Sequence, residues 1–279
     1  MEEPQIKTGF TDLDKIIGGL YPGELMVIGA GPAIGKTSFL AALIRNITWK
    51  YGTKGLLFSL TTRTESFRQY LVSSVSGIPS IRIRQLEKLT EEELAVYNMY
   101  SFEVGNLPIF IDDTEYKNIN ELIRLARKMV IGGYAEIIYI DNFEYISVDG
   151  NFLWEAEVMS KLKQLAKELN IPIVGTRQSI RAIDSNTSKF GYLPISVKKA
   201  ADVILLLARK KEIKYDFPAI ADLYIAKNLY GDTGDIKIRF FLQTLCFENL
   251  EPPGSPKVQQ VFLGGAEDNG LCLPFVDNL

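Results

Sequence analysis

Residues 25–37 read Leu25-Met26-Val27-Ile28-Gly29-Ala30-Gly31-Pro32-Ala33-Ile34-Gly35-Lys36-Thr37. A short apolar run that suits a buried strand feeds a glycine-rich turn closing on Gly-Lys-Thr. Downstream, Phe39, Leu40, Leu43, Ile44 and Ile47 recur at helical spacing, which starts a helix near Lys36. Strand, glycine turn, Gly-Lys-Thr and helix in this order make a phosphate-binding P-loop. Its backbone N–H groups and the positive end of the helix suit a polyphosphate. The expected cradle is Ala30, Gly31, Pro32, Ala33, Ile34, Gly35, Lys36, Thr37 and Ser38. Lys36 is expected on the β- and γ-phosphates and the Thr37 hydroxyl on Mg²⁺. The cofactors implied are ATP, or another nucleoside triphosphate, and Mg²⁺. Ala30 stands where the general motif has its first glycine.

Composition sets the limits around this site. A length of 279 residues allows one large or two small domains. With 47% apolar and 23% charged residues the chain is ordinary for a globular protein with a substantial core. No apolar run reaches the length of a membrane span, and the acidic opening Met1-Glu2-Glu3-Pro4-Gln5 lacks the features of a secretion signal. A cytoplasmic protein with no membrane partner is expected. The two cysteines, Cys246 and Cys272, form no C-x-x-C pair, which argues against a zinc site. There is no histidine, so every His-based acid, base or ligand is excluded. The net charge of −3 offers nucleic acid no global attraction, and binding would need a local basic patch.

The rest of the chain alternates strands and helices. Thr11 is expected to cap a short helix that ends at Gly18-Gly19. Strands are expected over Gly55–Leu60, Pro108–Asp113, Glu136–Asp141, Ile171–Thr176 and Val203–Leu207. Helices are expected from about Ser66 to Ser76, from a Thr90/Glu93 capping box, from Asn118, and over Glu155–Leu169. Near-continuous apolar strands alternating with helices predict an α/β fold, a mainly parallel sheet covered on both faces. The last third differs: Asp222–Ala226, Asp235–Leu242 and Leu245–Glu248 read as short strands in antiparallel hairpins at one sheet edge. This divides the chain into a domain over 1–250 and a Pro-, Gly- and acid-rich C-terminal extension over 251–279. There is no internal repeat.

A P-loop needs an acid at the end of a neighbouring strand to hold the Mg²⁺ water shell. Asp141 closes the most apolar strand and is the expected acid. Asp112 and Asp113 compete for the role, and a turn or cap role suits them better.

Taken in order, these pieces resemble the C-terminal, RecA-like ATPase domain of the DnaB replicative DNA helicase family. The resemblance rests on Thr8-Gly9-Phe10, Leu13-Asp14, Pro22-Gly23-Glu24-Leu25, the P-loop, Phe58-Ser59-Leu60, Ile111-Asp112-Asp113-Thr114, Ile138-Tyr139-Ile140-Asp141, Leu165 to Pro172, Ala201-Asp202-Val203, Ile225-Ala226-Lys227 and Phe247-Glu248-Asn249-Leu250. It covers roughly residues 5 to 250, and Ala30 is usual in that family. It implies DNA replication, ATP hydrolysis, a ring or looser oligomer of this chain or of a replicative helicase, and single-stranded DNA as partner. It casts Lys36, Asp141 and Lys227 as catalytic, with Thr37 and Asp141 on the metal.

The departures from the family pattern bear on activity. The glutamate that follows Phe-Ser-Leu and activates water is Thr61 here, and a neutral hydroxyl is a poor base. Glu65, one turn on, is a weak substitute. The Lys-x-Arg finger reads Lys227-Asn228-Leu229, without its arginine. The Gln after the aspartate, a γ-phosphate sensor, is Glu144. Gln178 and Arg181 approximate the family's Ser-Gln-x-x-Arg. The following loop is shortened, and the resemblance begins at the ATPase domain, without the family's helical N-terminal domain and linker helix. Arg181, Lys189, Lys198 and Lys199, beside Phe190 and Tyr192, are the DNA-binding candidates, against a solvated basic face. Arg209-Lys210-Lys211 reads as a charged strand end. The expectation is a helicase ATPase domain weak in hydrolysis. The alternatives are a catalytically degenerate paralogue in a regulatory or scaffolding role and a KaiC- or RadA-like ATPase.

Overall fold

The computed structural model describes residues 5–115, 117–148, 155–179, 193–209 and 218–250. The extension over 251–279 lies outside them. The strands are β1 (Leu25–Ala30), β2 (Gly55–Ser59), β3 (Ile109–Asp112), β4 (Lys117–Asn118), β5 (Ile137–Asp141), β6 (Ile146–Ser147), β7 (Ile173–Gln178), β8 (Val203–Arg209), β9 (Ala219–Asn228), β10 (Gly234–Phe241) and β11 (Cys246–Asn249). The α-helices are α1 (Thr11–Ile17), α2 (Lys36–Ile44), α3 (Thr64–Ser76), α4 (Ser80–Ile83), α5 (Glu91–Gly105), α6 (Ile119–Ile131), α7 (Glu155–Leu169) and α8 (Ile195–Ala200).

Nine strands form one sheet in the order β11-β10-β9-β8-β1-β7-β5-β2-β3 among the described residues. From β8 to β3 all neighbours are parallel; β9, β10 and β11 add antiparallel hairpins at one edge. This is the α/β architecture expected from the apolar runs. Every residue of β1 is buried, because the two faces of the sheet carry separate cores. Met26 and Ile28 join Phe39, Leu43, Tyr139 and Phe247 on one face; Leu25 and Val27 join Ile138, Leu162 and Val197 on the other. A period-2 chain buried on both sides has no polar face to alternate with, which explains the unbroken apolar sequence.

Boundaries depart from expectation where distant side chains take over. Thr11 is the first residue of α1, not its cap, and Phe10 occupies the cap position without a side-chain bond. Asp14 braces the turn before the helix: its carboxylate accepts from the N–H groups of Thr8 (2.9 Å) and Gly9 (3.1 Å) and from the Thr8 hydroxyl (2.8 Å). Asn249, at the other end of the domain, ties in here by accepting from Thr11 N–H (2.8 Å) and donating to the Gly9 carbonyl (2.9 Å). The Thr90/Glu93 capping box forms as expected. Strand β9 runs longer than the apolar segment Asp222–Ala226, because both of its neighbours in the sheet extend it.

The strand β1 is gripped at both ends by β8 and its flank. At its start, buried Asp202 accepts from Leu25 N–H (2.7 Å) and from the Lys163 amine (2.6 Å), which also donates to the Gly23 carbonyl (2.8 Å). Beyond its end, Arg209, the last residue of β8, donates to the carbonyls of Ala33 and Ile34, each at 2.7 Å.

Candidate functional site

The P-loop leaves the carboxyl end of β1, and Asp141 stands at the carboxyl end of β5, with β7 between them. Ala33 (φ 60°) and Gly35 (φ 114°) both take left-handed conformations, so the chain wraps into a concave turn before α2. A side chain at Gly35 would meet the Phe247 ring at 3.1 Å, so the loop rests on an aromatic base. Phe247 in turn stacks on Phe240 at 4.5 Å. The N-terminus of α2 has no side-chain cap and no acid in its first turn. Its leading N–H groups and positive helix end are left for a bound anion. The Lys36 amine donates to the Gly31 carbonyl at 3.5 Å, the outer edge of hydrogen-bond range. Burial lowers the Lys36 pKa, against the attraction of Glu144 and Asp141.

Asp141 is almost fully buried and accepts from the Thr37 hydroxyl (2.8 Å) and the Thr176 hydroxyl (2.7 Å). Its pKa is raised by burial, despite both hydroxyl bonds and the nearby Lys36. A buried carboxylate held above its ordinary range, against a threonine hydroxyl and beside a P-loop lysine, is a donor set that suits a hard divalent cation such as Mg²⁺. Thr37 and Asp141 would hold the ion, and the cradle with Lys36 would hold the phosphates. Asp112 and Asp113 are occupied elsewhere. Asp112 forms an ion pair with Lys117 and accepts from Thr114 N–H (3.0 Å), while Asp113 accepts from Thr64 N–H (2.7 Å) at the start of α3.

Thr61 follows β2 and is exposed, as is Glu65 in the first turn of α3. Leu60 N–H donates to the Asp141 carbonyl (2.8 Å), which places Thr61 one residue from the Asp141 backbone. Lys227 sits on β9 opposite Ile204, near the amino end of β8. Its amine donates to the carbonyls of Lys198 (3.0 Å) and Ala201 at the C-terminus of α8. The P-loop leaves the opposite end of the sheet. Leu229 is 52% exposed just beyond β9. Of the DNA-binding candidates, Lys198 is half-buried and Lys199 exposed on α8, whereas Arg181 and Lys189 lie outside the described residues.

Two features of the site arise from contacts between strands far apart in sequence. Arg209 is not a solvated strand end: it clasps the P-loop carbonyls, with its guanidinium 4.8 Å from the centre of the Phe240 ring. Its place follows from the pairing of β8 with β1, which sets Leu207 beside Ala30 although the two are far apart in sequence. The second is an ion-pair cluster at the mouth of the loop. Glu144 pairs with Arg177 and accepts from Gln178 N–H (2.7 Å), and Arg177 also donates to Glu155 (2.6 Å).

Comparisons with known proteins bear on the family and the fold. The replicative DNA helicase DnaB of Haemophilus influenzae is 28% identical over 264 residues, covering 88% of this chain and 55% of its own length. The chain thus spans about half the length of the curated relatives it matches, 55% and 59% for two of them. Among solved structures, one of an ATPase domain superposes with a TM-score of 0.75 at 22% identity, covering 88% of this chain and 91% of that one. A DnaB-like replicative helicase, described with its interactions with primase, gives 0.76 at 22% identity, covering 88% and 62% respectively. The fold is RecA-like. Residues 5–249 match the family described as DnaB-like helicase C terminal domain, and the chain belongs to that family.

Proposed function

We propose that this chain is the nucleotide-binding domain of a DnaB-like helicase system that binds Mg²⁺·ATP at the P-loop and turns it over slowly. The observation that carries the reading is the meeting of Lys36, Thr37 and Asp141 at the ends of two strands separated by β7. Bound Mg²⁺ would neutralise charge building on the phosphates during transfer. The chain's own residues bind and orient: the cradle N–H groups and Lys36 fix the phosphates, and Thr176 keeps the Asp141 carboxylate aimed at Thr37.

Slow turnover follows from the two departures. Thr61 offers no carboxylate to take a proton from water, and Leu229 brings no positive charge to a neighbour's phosphate. Lys227 works within its own chain as a cap on α8; if it also serves a phosphate, the P-loop it serves belongs to a neighbouring copy. Single-stranded DNA is the proposed polymer partner, held weakly through Lys198, Lys199, Arg181 and Lys189. Assembly is a ring or loose oligomer, of this chain or with a replicative helicase. A second reading, a degenerate paralogue with a regulatory or scaffolding role, is favoured by the same two positions.

Calorimetry and steady-state turnover test both readings. Mg²⁺-dependent ADP binding should be abolished by Lys36→Ala, and the wild-type rate should stay well under about 1 s⁻¹. Thr61→Glu with Leu229→Arg should raise turnover above either single change, because such groups act as a unit. Absence of nucleotide binding at millimolar concentration would refute the site. A wild-type rate of ordinary enzymes, stimulated by single-stranded DNA, would refute slow turnover and identify a working motor.

A further inference from the structure

The cluster at the mouth of the P-loop gives Arg177 a task beyond scaffolding. Arg177 lies on β7 directly beside Gly29 of β1, and the next residue, Gln178, pairs with Ala30. Ser179 N–H continues the contact to the Ala30 carbonyl at 2.9 Å. The arginine therefore emerges where β1 turns into the loop. Its guanidinium is shared between two acids, Glu144 and Glu155, and also donates to the Gln178 carbonyl at 3.0 Å. Glu155 is itself a hydrogen-bond acceptor for the Ser196 hydroxyl at 3.3 Å.

Glu144 is placed with equal care. It sits on a 3₁₀ turn three residues beyond Asp141, and its N–H donates to the Asn142 side chain at 3.0 Å. That turn can approach β7 because Gly175 has no side chain: a Cβ there would fall 2.1 Å from the Phe143 ring. The three side chains retain 18% to 27% of their exposure, so the cluster is open to solvent rather than sealed. Lys36 feels both members: Glu144 favours its charge and Arg177 opposes it. If the arginine moves to a stronger anion, Glu144 keeps the Gln178 N–H and Glu155 the Ser196 hydroxyl, and both acids remain in reach of solvent, so neither is left buried and alone.

We propose that Arg177 is a γ-phosphate ligand supplied by the same chain, held in reserve by Glu144 and Glu155 and drawn onto a triphosphate but not a diphosphate. The chain would then distinguish ATP from ADP without a neighbour's arginine, which Leu229 cannot supply. The inference rests on nucleotide binding at the P-loop. Glu144 is the competitor in this arrangement: its carboxylate and the terminal phosphate contend for the same guanidinium.

The test measures Mg²⁺-dependent binding of ADP and of ATPγS by calorimetry, on the wild type, Arg177→Gln and Glu144→Gln. A charge-assisted arginine bond corresponds to about tenfold or more in affinity. Arg177→Gln should weaken ATPγS about tenfold and leave ADP nearly unchanged. Glu144→Gln should move the ratio the other way, strengthening ATPγS relative to ADP. If Arg177→Gln does not fold, Glu144→Gln decides alone, and an unchanged ratio overturns the proposal. Equal effects on both nucleotides, or none, also overturn it while leaving the P-loop reading intact. Failure of the wild type to bind either nucleotide overturns both.

Discussion

Replacing Asp141 by asparagine should move stability and ligand response in opposite directions. The side chain is almost fully buried and its pKa is raised by burial even though two hydroxyls and Lys36 favour its charge. Desolvation therefore outweighs its partners in the free protein. The two hydroxyls donate to different oxygens, at 2.8 and 2.7 Å in the wild type; an isosteric amide accepts from one of them through its single oxygen, donates its N–H to the other hydroxyl, and removes the charge. Relieving a functional-site penalty of this kind stabilises by about 1 kcal/mol, or roughly 2–4 °C in Tm for a domain near this size. The pH dependence has a definite sign. A folded pKa above the unfolded value means the native state holds a proton the unfolded chain has lost. The stability from that proton is complete below the unfolded pKa and disappears as pH rises through the folded one, so the advantage of asparagine should grow from acid to neutral pH. With Mg²⁺·ADP at about 100 times its Kd, the wild type gains roughly 2.7 kcal/mol. Asp141→Asn should lose most of that gain. Thermal melts with and without Mg²⁺·ADP at pH 5 and 8 read both effects. A variant that melts lower without ligand, or keeps the full ligand-induced shift, would refute the assignment of Asp141 as a desolvated metal ligand.

Three further outcomes are expected. Arg209→Ala removes two bonds of 2.7 Å from the P-loop carbonyls; each charged bond of this type is worth roughly 1.5–3 kcal/mol, so ADP affinity measured by calorimetry should fall at least about tenfold. Glu24, beside the Asp202 carboxylate and mostly shielded from water, has its pKa pushed up to about 7 by burial and by Asp202. Native protein thus holds a proton there that the unfolded chain releases, stability falls as pH rises from about 4.5 to 7, and Glu24→Gln should flatten that fall in a Tm-versus-pH series. The Tyr139 hydroxyl is buried with no hydrogen-bond partner among the described residues; Tyr139→Phe should raise stability in urea by about 1 kcal/mol.

Much of this architecture is readable because its signals are local. The run Leu25–Ala30 with the glycine turn and Gly-Lys-Thr specifies strand, loop and helix within a few residues. Asp141 stands out because it ends an apolar strand. Contacts between strands far apart in sequence are not readable in the same way. Arg209 looks like one basic residue among three, since nothing near it in sequence shows that β8 lies beside β1. Glu144 is visible as a departure from the family pattern and Arg177 has no signal of its own, and their pairing depends on β7 lying next to β5. Thr11 is a reasonable cap by residue type, but it lies inside α1, where its N–H donates to Asn249 from the far end of the domain while Asp14 serves the preceding turn.

The double grip on β1 has a mechanical consequence. Asp202 precedes β8 and Arg209 ends it, so one strand holds both the start and the exit of its neighbour. A strand clasped at two points behaves as a splint: it cannot slip by a residue without breaking both clasps at once. The register of β8 against β1, and with it the seat of the Arg209 guanidinium on the P-loop carbonyls, is therefore fixed by the two clasps acting together.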